Sequence, residues 1–153
     1  MGETPHELVN PPGMPPPVGY AHVVVPSEGR TIHIAGQTGH GPDGVLPEGI
    51  VEQFDGACAN VVSALRAAGG EPEHLASMQI FVTDVEGYAA ASKEIGEAYR
   101  RHFGRHYPAM ALLGVTRLLD PAAMVELVAV AVVPPPPSPR DDPARVPDRE
   151  KNR

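Results

Sequence analysis

Glu126 is the residue whose surroundings in this sequence most strongly indicate chemistry. It lies in residues 124–133, and the nine remaining residues of this segment are all apolar. A carboxylate in a strand that is apolar on both faces is costly to bury unless it is paired or hydrogen-bonded. Glu126 is therefore either one partner of a structural ion pair or the acid of a functional site. The sequence leaves both interpretations open.

Histidines supply the other candidate side chains. His102 and His106 stand four residues apart, the spacing of a two-histidine metal site on a helix. No acid accompanies them at ligand spacing, and Arg101 and Arg105 intervene, so the solvated basic end of a helix is the favoured interpretation. His40 lies on a glycine-rich loop and is a candidate for the wall of a site.

The elements that position these residues follow from apolar spacing. Residues 21–25 and 31–35 are short β-branched runs that predict a hairpin. Residues 50–68 and 88–103 have helical spacing, and three further strands are predicted at residues 78–83, 109–117 and 124–133. The order β-β-α-β-α-β-β predicts an α/β (α+β) domain with one mixed sheet and both helices on one face.

Composition sets the predicted boundaries of this domain. Residues 1–17 are proline-rich and predicted to be flexible, and residues 134–153 mix prolines with charges and are predicted to be disordered. The domain is therefore residues 18–133.

No signal pattern or membrane span is found, so a cytoplasmic location is expected. The lone Cys58 excludes an internal disulfide and is predicted to be a small core residue of the first helix.

The charge of the chain bears on its partners. The formal net charge is −7, which argues against a nucleic-acid surface because phosphate binding needs clustered cations. One basic cluster is present, Arg100, Arg101 and Arg105, in the last turns of the second predicted helix. Cations there complement the helix dipole, and this is the favoured interpretation. We expect no nucleic acid and no membrane as partner.

The last predicted strand also indicates self-assembly. Val128 and Val130 alternate with Leu127 and Ala129, so both faces of the strand are apolar. Two helices cover only one face of such a sheet. A partner subunit is the simplest cover for the other face.

A series of short motifs makes the sequence resemble the Rid family of reactive intermediate deaminases (YjgF-like, endoribonuclease L-PSP-like). The motifs span about residues 19–133 in the family order: Tyr20, Ile34-Ala35-Gly36-Gln37, Asn60 to Gly69, Phe81-Val82-Thr83-Asp84, Tyr99 with Phe103, Pro108-Ala109, Arg117-Leu118 and Val125-Glu126-Leu127. The resemblance implies a chorismate-mutase-like fold. It also implies a homotrimer with small-molecule sites in the clefts between subunits. We expect neither a cofactor nor a metal.

The resemblance also implies roles for individual residues. In deaminase-active members an arginine directly after the Pro-Ala pair binds the carboxylate of a small 2-imino acid through a bidentate contact. A glutamate of the last strand activates water for attack on the imine carbon, and a tyrosine helps close the cleft. Glu126 and Tyr20 occupy those positions. The predicted ligand-binding residues are Ala35, Gly36, Gln37, Thr38, His40 and Met110.

This sequence departs from the family pattern at polar positions. Met110 stands where the arginine is expected, and a thioether offers neither charge nor a donor. Ala35 replaces the usual serine, and Gly96 stands where many members have an asparagine. The chain resembles the arginine-lacking subfamilies, and its ligand is predicted to be less acidic than the usual enamine acid and partly apolar.

Other functions stay open at this stage. One is an active enamine or imine deaminase, in which a histidine or Arg117 replaces the missing arginine. Another is the ribonuclease activity ascribed to some family members, which the acidic charge disfavours. A third is a non-catalytic metabolite-binding or interaction protein whose tail, residues 134–153, recruits a partner. The sequence does not decide whether there is turnover.

Overall fold

The computed structural model describes residues 2–136, which contain six strands, three α-helices and a 3₁₀ turn at Pro72–His74. The tail predicted at residues 134–153 lies outside the described residues from residue 137 onward. The strands and helices, in chain order, are β1 (Glu7–Val9), β2 (Val23–Val25), β3 (Arg30–Gln37), α1 (Ile50–Ala67), β4 (Leu75–Val82), α2 (Val85–Ala90), α3 (Ser92–Phe103), β5 (Ala109–Gly114) and β6 (Val125–Val133).

The main sheet is mixed, as predicted. Its strand order is β3-β6-β4-β5, with β6 antiparallel to both of its neighbours and β4 parallel to β5. A parallel pair needs a crossover between its strands, and the segment containing α2 and α3 supplies it. Strand β5 is the edge strand that follows this crossover.

The helices pack on one face of this sheet. Helix α1 buries Phe54, Ala57, Cys58, Val61 and Leu65, which recur at helical spacing, and it packs against β3, β6 and α3. Burial raises the pKa of the Cys58 thiol, which is in the core as predicted. The α+β fold with its mixed sheet is confirmed.

The second predicted helix is broken into α2 and α3. The carboxylate of Asp84 caps α2 by accepting a hydrogen bond from the Gly87 N–H at 2.8 Å. Helix α2 ends after one and a half turns at Ala91, which is also the N-cap of α3. Strand β5 likewise ends at Gly114 and not at residue 117, so Arg117 lies in an exposed loop.

The predicted hairpin between β2 and β3 is wrong. Strand β2 pairs antiparallel with β1, and Glu7 lies opposite Val25. Residues 1–17 are therefore not all flexible. Buried His6 fixes the segment, because its Nε2 donates to the His74 carbonyl oxygen at 2.8 Å and its Nδ1 accepts from the Ser27 N–H at 3.2 Å. The proline-rich composition predicts a flexible segment, and it does not show that one buried histidine holds part of this segment in place.

The face of the main sheet that the helices do not cover is called here the open face. Side chains on it alternate with the buried ones: Val128 and Val130 on β6, and Gln79 and Phe81 on β4. The two β6 valines and Phe81 are half-buried, so the open face is partly apolar. Within residues 2–136 no helix has the length and apolar character needed to cross a membrane.

Candidate functional site

Glu126 points to the open face near the start of β6, one of the two interior strands of the main sheet. It lies between buried Val125 and Leu127 on β6 and opposite Phe81 on β4. Its side chain is half-buried, and among residues 2–136 no hydrogen bond or ion pair to its carboxylate is found. The interpretation of Glu126 as a partner in an ion pair therefore has no support within the described chain, and its oxygens are available to a ligand.

A bulge in β3 brings the backbone of Gly36 against this carboxylate. Ile34 pairs with Ala129 and Gln37 pairs with Leu127, so β3 has one extra residue between them. A Cβ atom at Gly36 would overlap the Glu126 carboxylate. Glycine at this position thus lets the backbone approach the acid closely. The neighbouring Gln37 amide donates to the Ala35 carbonyl oxygen at 3.0 Å.

The loop after β3 is held by its own polar contacts. Asn60 on α1 donates to the carbonyl oxygens of Thr38 and His40 at 2.8 and 2.9 Å. The Thr38 hydroxyl lies 2.7 Å from His40 Nδ1, and His40 Nε2 lies 3.0 Å from the Asp120 carboxylate. A backbone hydrogen bond from Ala122 and the contact with His40 lower the pKa of Asp120. Thr38 and His40 are therefore engaged within the loop.

Tyr20 and Met110 lie elsewhere, at the edge of the main sheet: Met110 is in the edge strand β5 and Tyr20 lies beside it. Ala21 donates its N–H to the Pro108 carbonyl oxygen at 3.0 Å, so residues 20–21 run next to the start of β5. Met110 is side by side with fully buried Met78 in the parallel register. Met110 therefore points to the helix side of the sheet and packs against the core.

A cavity of about 480 Å³ opens beside Met110, between β5 and α3. We call it the tyrosine cavity, because Tyr20, Tyr88, Tyr99 and Tyr107, all four tyrosines of the chain, line it with Met110, Gly96 and Arg100. Its size is within the range of small-molecule sites, and its walls are mainly apolar and aromatic with few polar groups, as is usual for such sites.

The tyrosines of this cavity are mostly structural. Tyr99 stacks on Tyr107 at 5.2 Å between ring centroids, and its hydroxyl donates to the His106 carbonyl oxygen at 2.7 Å. Burial raises the pKa of Tyr99, and it raises the pKa of Tyr88 to about 12. Both phenols are therefore neutral at physiological pH, and neither is a phenolate base in the cavity.

Arg100 also lines this cavity, although the sequence favoured a role for it in complementing the helix dipole. Among the described residues it is the one charged side chain lining the cavity. It lies one helical turn after Gly96, and a Cβ atom at Gly96 would be 3.2 Å from Arg100 Nη1. The spacing of a glycine and an arginine four residues apart was visible in the sequence, but the cavity beside it was not.

The predicted site residues thus form two groups in a single chain. Ala35, Gly36 and Gln37 lie with Glu126 toward the open face, whereas Met110 faces the helix side. Strand β4 separates β6 from β5. A second cavity, of about 440 Å³, lies on the open face near Val130, and Tyr20 and Met110 line its edge.

His102 and His106 do not converge. His102 Nε2 lies 2.8 Å from the Asp55 carboxylate, and His106 Nε2 donates to the Leu75 carbonyl oxygen at 2.7 Å. Partial burial would raise the pKa of Asp55, but the hydrogen bonds from His102 and Arg101 outweigh it and lower that pKa. Within the described part of the chain, no group of three potential ligands is placed to hold a metal ion.

The fold and the candidate site indicate an α+β protein with a small-molecule site. The helices lie on one face of its mixed sheet, a glutamate without a partner among the described residues lies on the other, and a cavity opens at the edge strand. Residues 14–133 match the family described as Endoribonuclease L-PSP. The chain belongs to this family, the Rid/YjgF proteins.

Named relatives and solved structures agree with this assignment. The chain is 30% identical to a goat (Capra hircus) and 31% identical to a mouse (Mus musculus) 2-iminobutanoate/2-iminopropanoate deaminase, over 67% of its length and 73% and 74% of theirs. A Rid-family protein of unknown function from Yersinia pestis is 28% identical with a TM-score of 0.76, over 84% of this chain and 98% of that one. A YjgF/YER057c/UK114 family member from Mycobacterium tuberculosis is 31% identical with a TM-score of 0.57, over 76% and 88%.

Proposed function

We propose that the protein hydrolyses small imines or enamines to a carbonyl compound and ammonia, in a cleft between two subunits of a homotrimer. In this cleft Glu126 of one subunit faces the tyrosine cavity of the next. The observation that carries the proposal is the Glu126 carboxylate, which has no partner among the described residues and lies against the backbone of Gly36. An uncompensated acid in an apolar strand is a costly feature that a functional role explains.

The open face supports the assembly. Val128, Val130 and Phe81 are half-buried there, and Leu113 at the β5 edge remains 39% exposed. An apolar sheet face is normally covered, and a second copy of the chain is the simplest cover. Packing that face against the β5 edge of another copy would join the two groups of site residues, which are separate in one chain.

The chemistry follows from a carboxylate base. Glu126 accepts a proton from water while the water oxygen bonds to the imine carbon, and it then passes that proton to the nitrogen to give a neutral carbinolamine. As the C–N bond breaks, the hydroxyl proton moves to the nitrogen, again through Glu126, so that ammonia leaves and a carbonyl remains. A positioned carboxylate contributes about 10²- to 10⁴-fold to such a step. The curated relatives are named for 2-iminobutanoate and 2-iminopropanoate, which supports small 2-imino acids as the substrate class.

The wall beside Met110 shapes the substrate. A thioether packs against alkyl groups but does not bind a carboxylate, so an apolar part of the substrate is expected there. Among the predicted substitutes for the missing arginine, Arg117 lies in an exposed loop and lines neither cavity beside β5. His40 is paired with Asp120, whereas His22 does line the cavity on the open face, where its Nε2 lies 2.9 Å from the Pro15 carbonyl oxygen.

The test is competition with semicarbazide for 2-iminobutanoate generated by an amino-acid oxidase. The wild type should lower the yield of semicarbazone, and Glu126→Gln should lower kcat by about 10²-fold or more. Glu97→Gln, an exposed acid on α3, is the matched control and should behave as the wild type. Wild-type hydrolysis that survives Glu126→Gln would refute the proposed role of Glu126. Activity that appears only in Met110→Arg would show a retained cleft with a different substrate.

A further inference from the structure

We infer that Arg100 is the anion-binding group of the tyrosine cavity, so that the acid group of the substrate lies against α3 and not at β5. The inference rests on the proposed function for its substrate class. Arg100 lines the cavity with Met110, and among the described residues no hydrogen bond or ion pair occupies its guanidinium. Arg100 is exposed to solvent, and among the described residues no acidic side chain lines the cavity to compete with an anionic ligand.

Gly96 explains how the guanidinium is accommodated. Arg100 Nη1 lies 3.2 Å from the point where a Cβ atom at Gly96 would be, closer than most contacts that real Cβ atoms make. Even alanine at position 96 would crowd the guanidinium, and any longer side chain would compete for its place. Glycine in a helix interior is unfavourable by itself, so space for Arg100 is a physical reason for its presence. Met110 lines the same cavity and carries no competing charge.

The other arginines of α3 and its end do not share this position. Successive residues on a helix are turned by about 100°, so Arg101 faces away from Arg100. It donates to the Asp55 carboxylate on α1 at 2.9 Å. Arg105 lines a different cavity, near Glu73. Arg101 is therefore a matched control: it has the same chemistry on the same helix, but its partner is already present.

A guanidinium recognises a carboxylate by charge and by its planar pair of donors. A substrate that contacts both the β5 side and the α3 side of the tyrosine cavity would place an alkyl part against Met110 and a carboxylate against Arg100. Closure of the cleft by a second subunit would remove water from this contact and strengthen it. The expected ligand is an anionic 2-imino acid held in a different orientation from one bound at β5.

The test uses 2-oxobutanoate, a stable analogue of the imino acid, and its neutral amide, 2-oxobutanamide. The chain has no tryptophan and all four tyrosines line the cavity, so intrinsic fluorescence reports on binding there; only Tyr20 of the four also lines the cavity on the open face. The wild type should bind 2-oxobutanoate saturably and more tightly than the amide. Arg100→Gln should raise the Kd for the acid by about 10- to 100-fold, the scale of a lost charge-assisted contact. It should change the Kd for the amide little.

Each outcome bears on the inference. Arg101→Gln should leave both Kd values as in the wild type. The inference is overturned if Arg100→Gln has no effect, if it weakens acid and amide equally, or if the wild type does not bind the acid. Binding is independent of turnover, so a wild type that binds the acid through Arg100 but hydrolyses no imine would refute the proposed function and leave this inference standing.

Discussion

Gly36→Ala should separate stability from activity in this protein. A Cβ atom at Gly36 would overlap the Glu126 carboxylate, and the three nearest atoms to it all belong to that side chain. Gly36 does not have a positive φ, so the backbone accepts alanine without strain. The substitution therefore acts on one flexible side chain and displaces the proposed base.

The two effects differ in size. Rotating the Glu126 side chain away from a preferred rotamer costs about 0.5–1.5 kcal/mol. Alanine restricts the unfolded chain, which raises the free energy of unfolding by about 0.4–1 kcal/mol. The free energy of unfolding should thus change by less than about 1 kcal/mol. Displacing a catalytic group by about 1 Å costs on the order of 10²-fold in rate, which is about 2.7 kcal/mol of activation free energy.

Urea unfolding and imine hydrolysis measure these two quantities on the same samples. A double-mutant cycle with Glu126→Gln shows whether the alanine acts through the carboxylate. Added to Glu126→Gln, it should lower kcat/KM little further, because the base is already absent. The reasoning fails if Gly36→Ala keeps the wild-type kcat/KM, or if the losses from the two substitutions simply multiply.

The remaining predictions concern the helix, the pH response and the assembly. Gly96→Ala should stabilise the protein by about 0.5–1 kcal/mol through helix propensity, yet raise the Kd for 2-oxobutanoate because its Cβ crowds Arg100; urea unfolding and fluorescence titration check this. Burial lowers the pKa of His106, so the unfolded state binds a proton first and stability should fall as pH drops below about 6.5; His106→Gln should reduce that loss in urea unfolding at pH 7.5 and 5.5. Val130→Lys should place a charge on the open face and yield monomers by light scattering, whereas an unchanged mass would contradict the proposed interface.

The central elements could be predicted from the sequence because each has one strong signal. Helix α1 repeats apolar residues at helical spacing and ends before Gly69 and Gly70. Strand β6 is a continuous apolar run interrupted by Glu126 alone. The pairing of β1 with β2 had no such signal, since a three-residue strand in a proline-rich segment carries little pattern. Its position depends on His6, which finds partners 68 and 21 residues away in the chain.

Some features of the candidate site could likewise be predicted from the sequence, whereas others depend on contacts made only in the folded chain. Glu126 could be found from the sequence because it is the one charged residue in a strand that is otherwise apolar, where a buried carboxylate would be costly. Its closeness to Gly36 depends on the bulge in β3, a change of one residue in register that the alternation of side chains does not reveal. The expected role of His40 depended on a loop whose contacts with Asn60 and Asp120 are set only in the folded chain.

Arg100 shows why charge clusters are ambiguous in a sequence. Arg100, Arg101 and Arg105 were assigned together to the end of a helix, where cations favour the dipole. The fold gives them different partners, because helical rotation turns Arg101 toward Asp55 and leaves Arg100 at the tyrosine cavity. If Arg100 binds the anion, methionine at position 110 does not exclude an anionic ligand. A substrate carboxylate bound by Arg100 on α3 would lie on the opposite side of the imine carbon from a carboxylate bound at β5. That orientation favours substrates whose alkyl part reaches Met110.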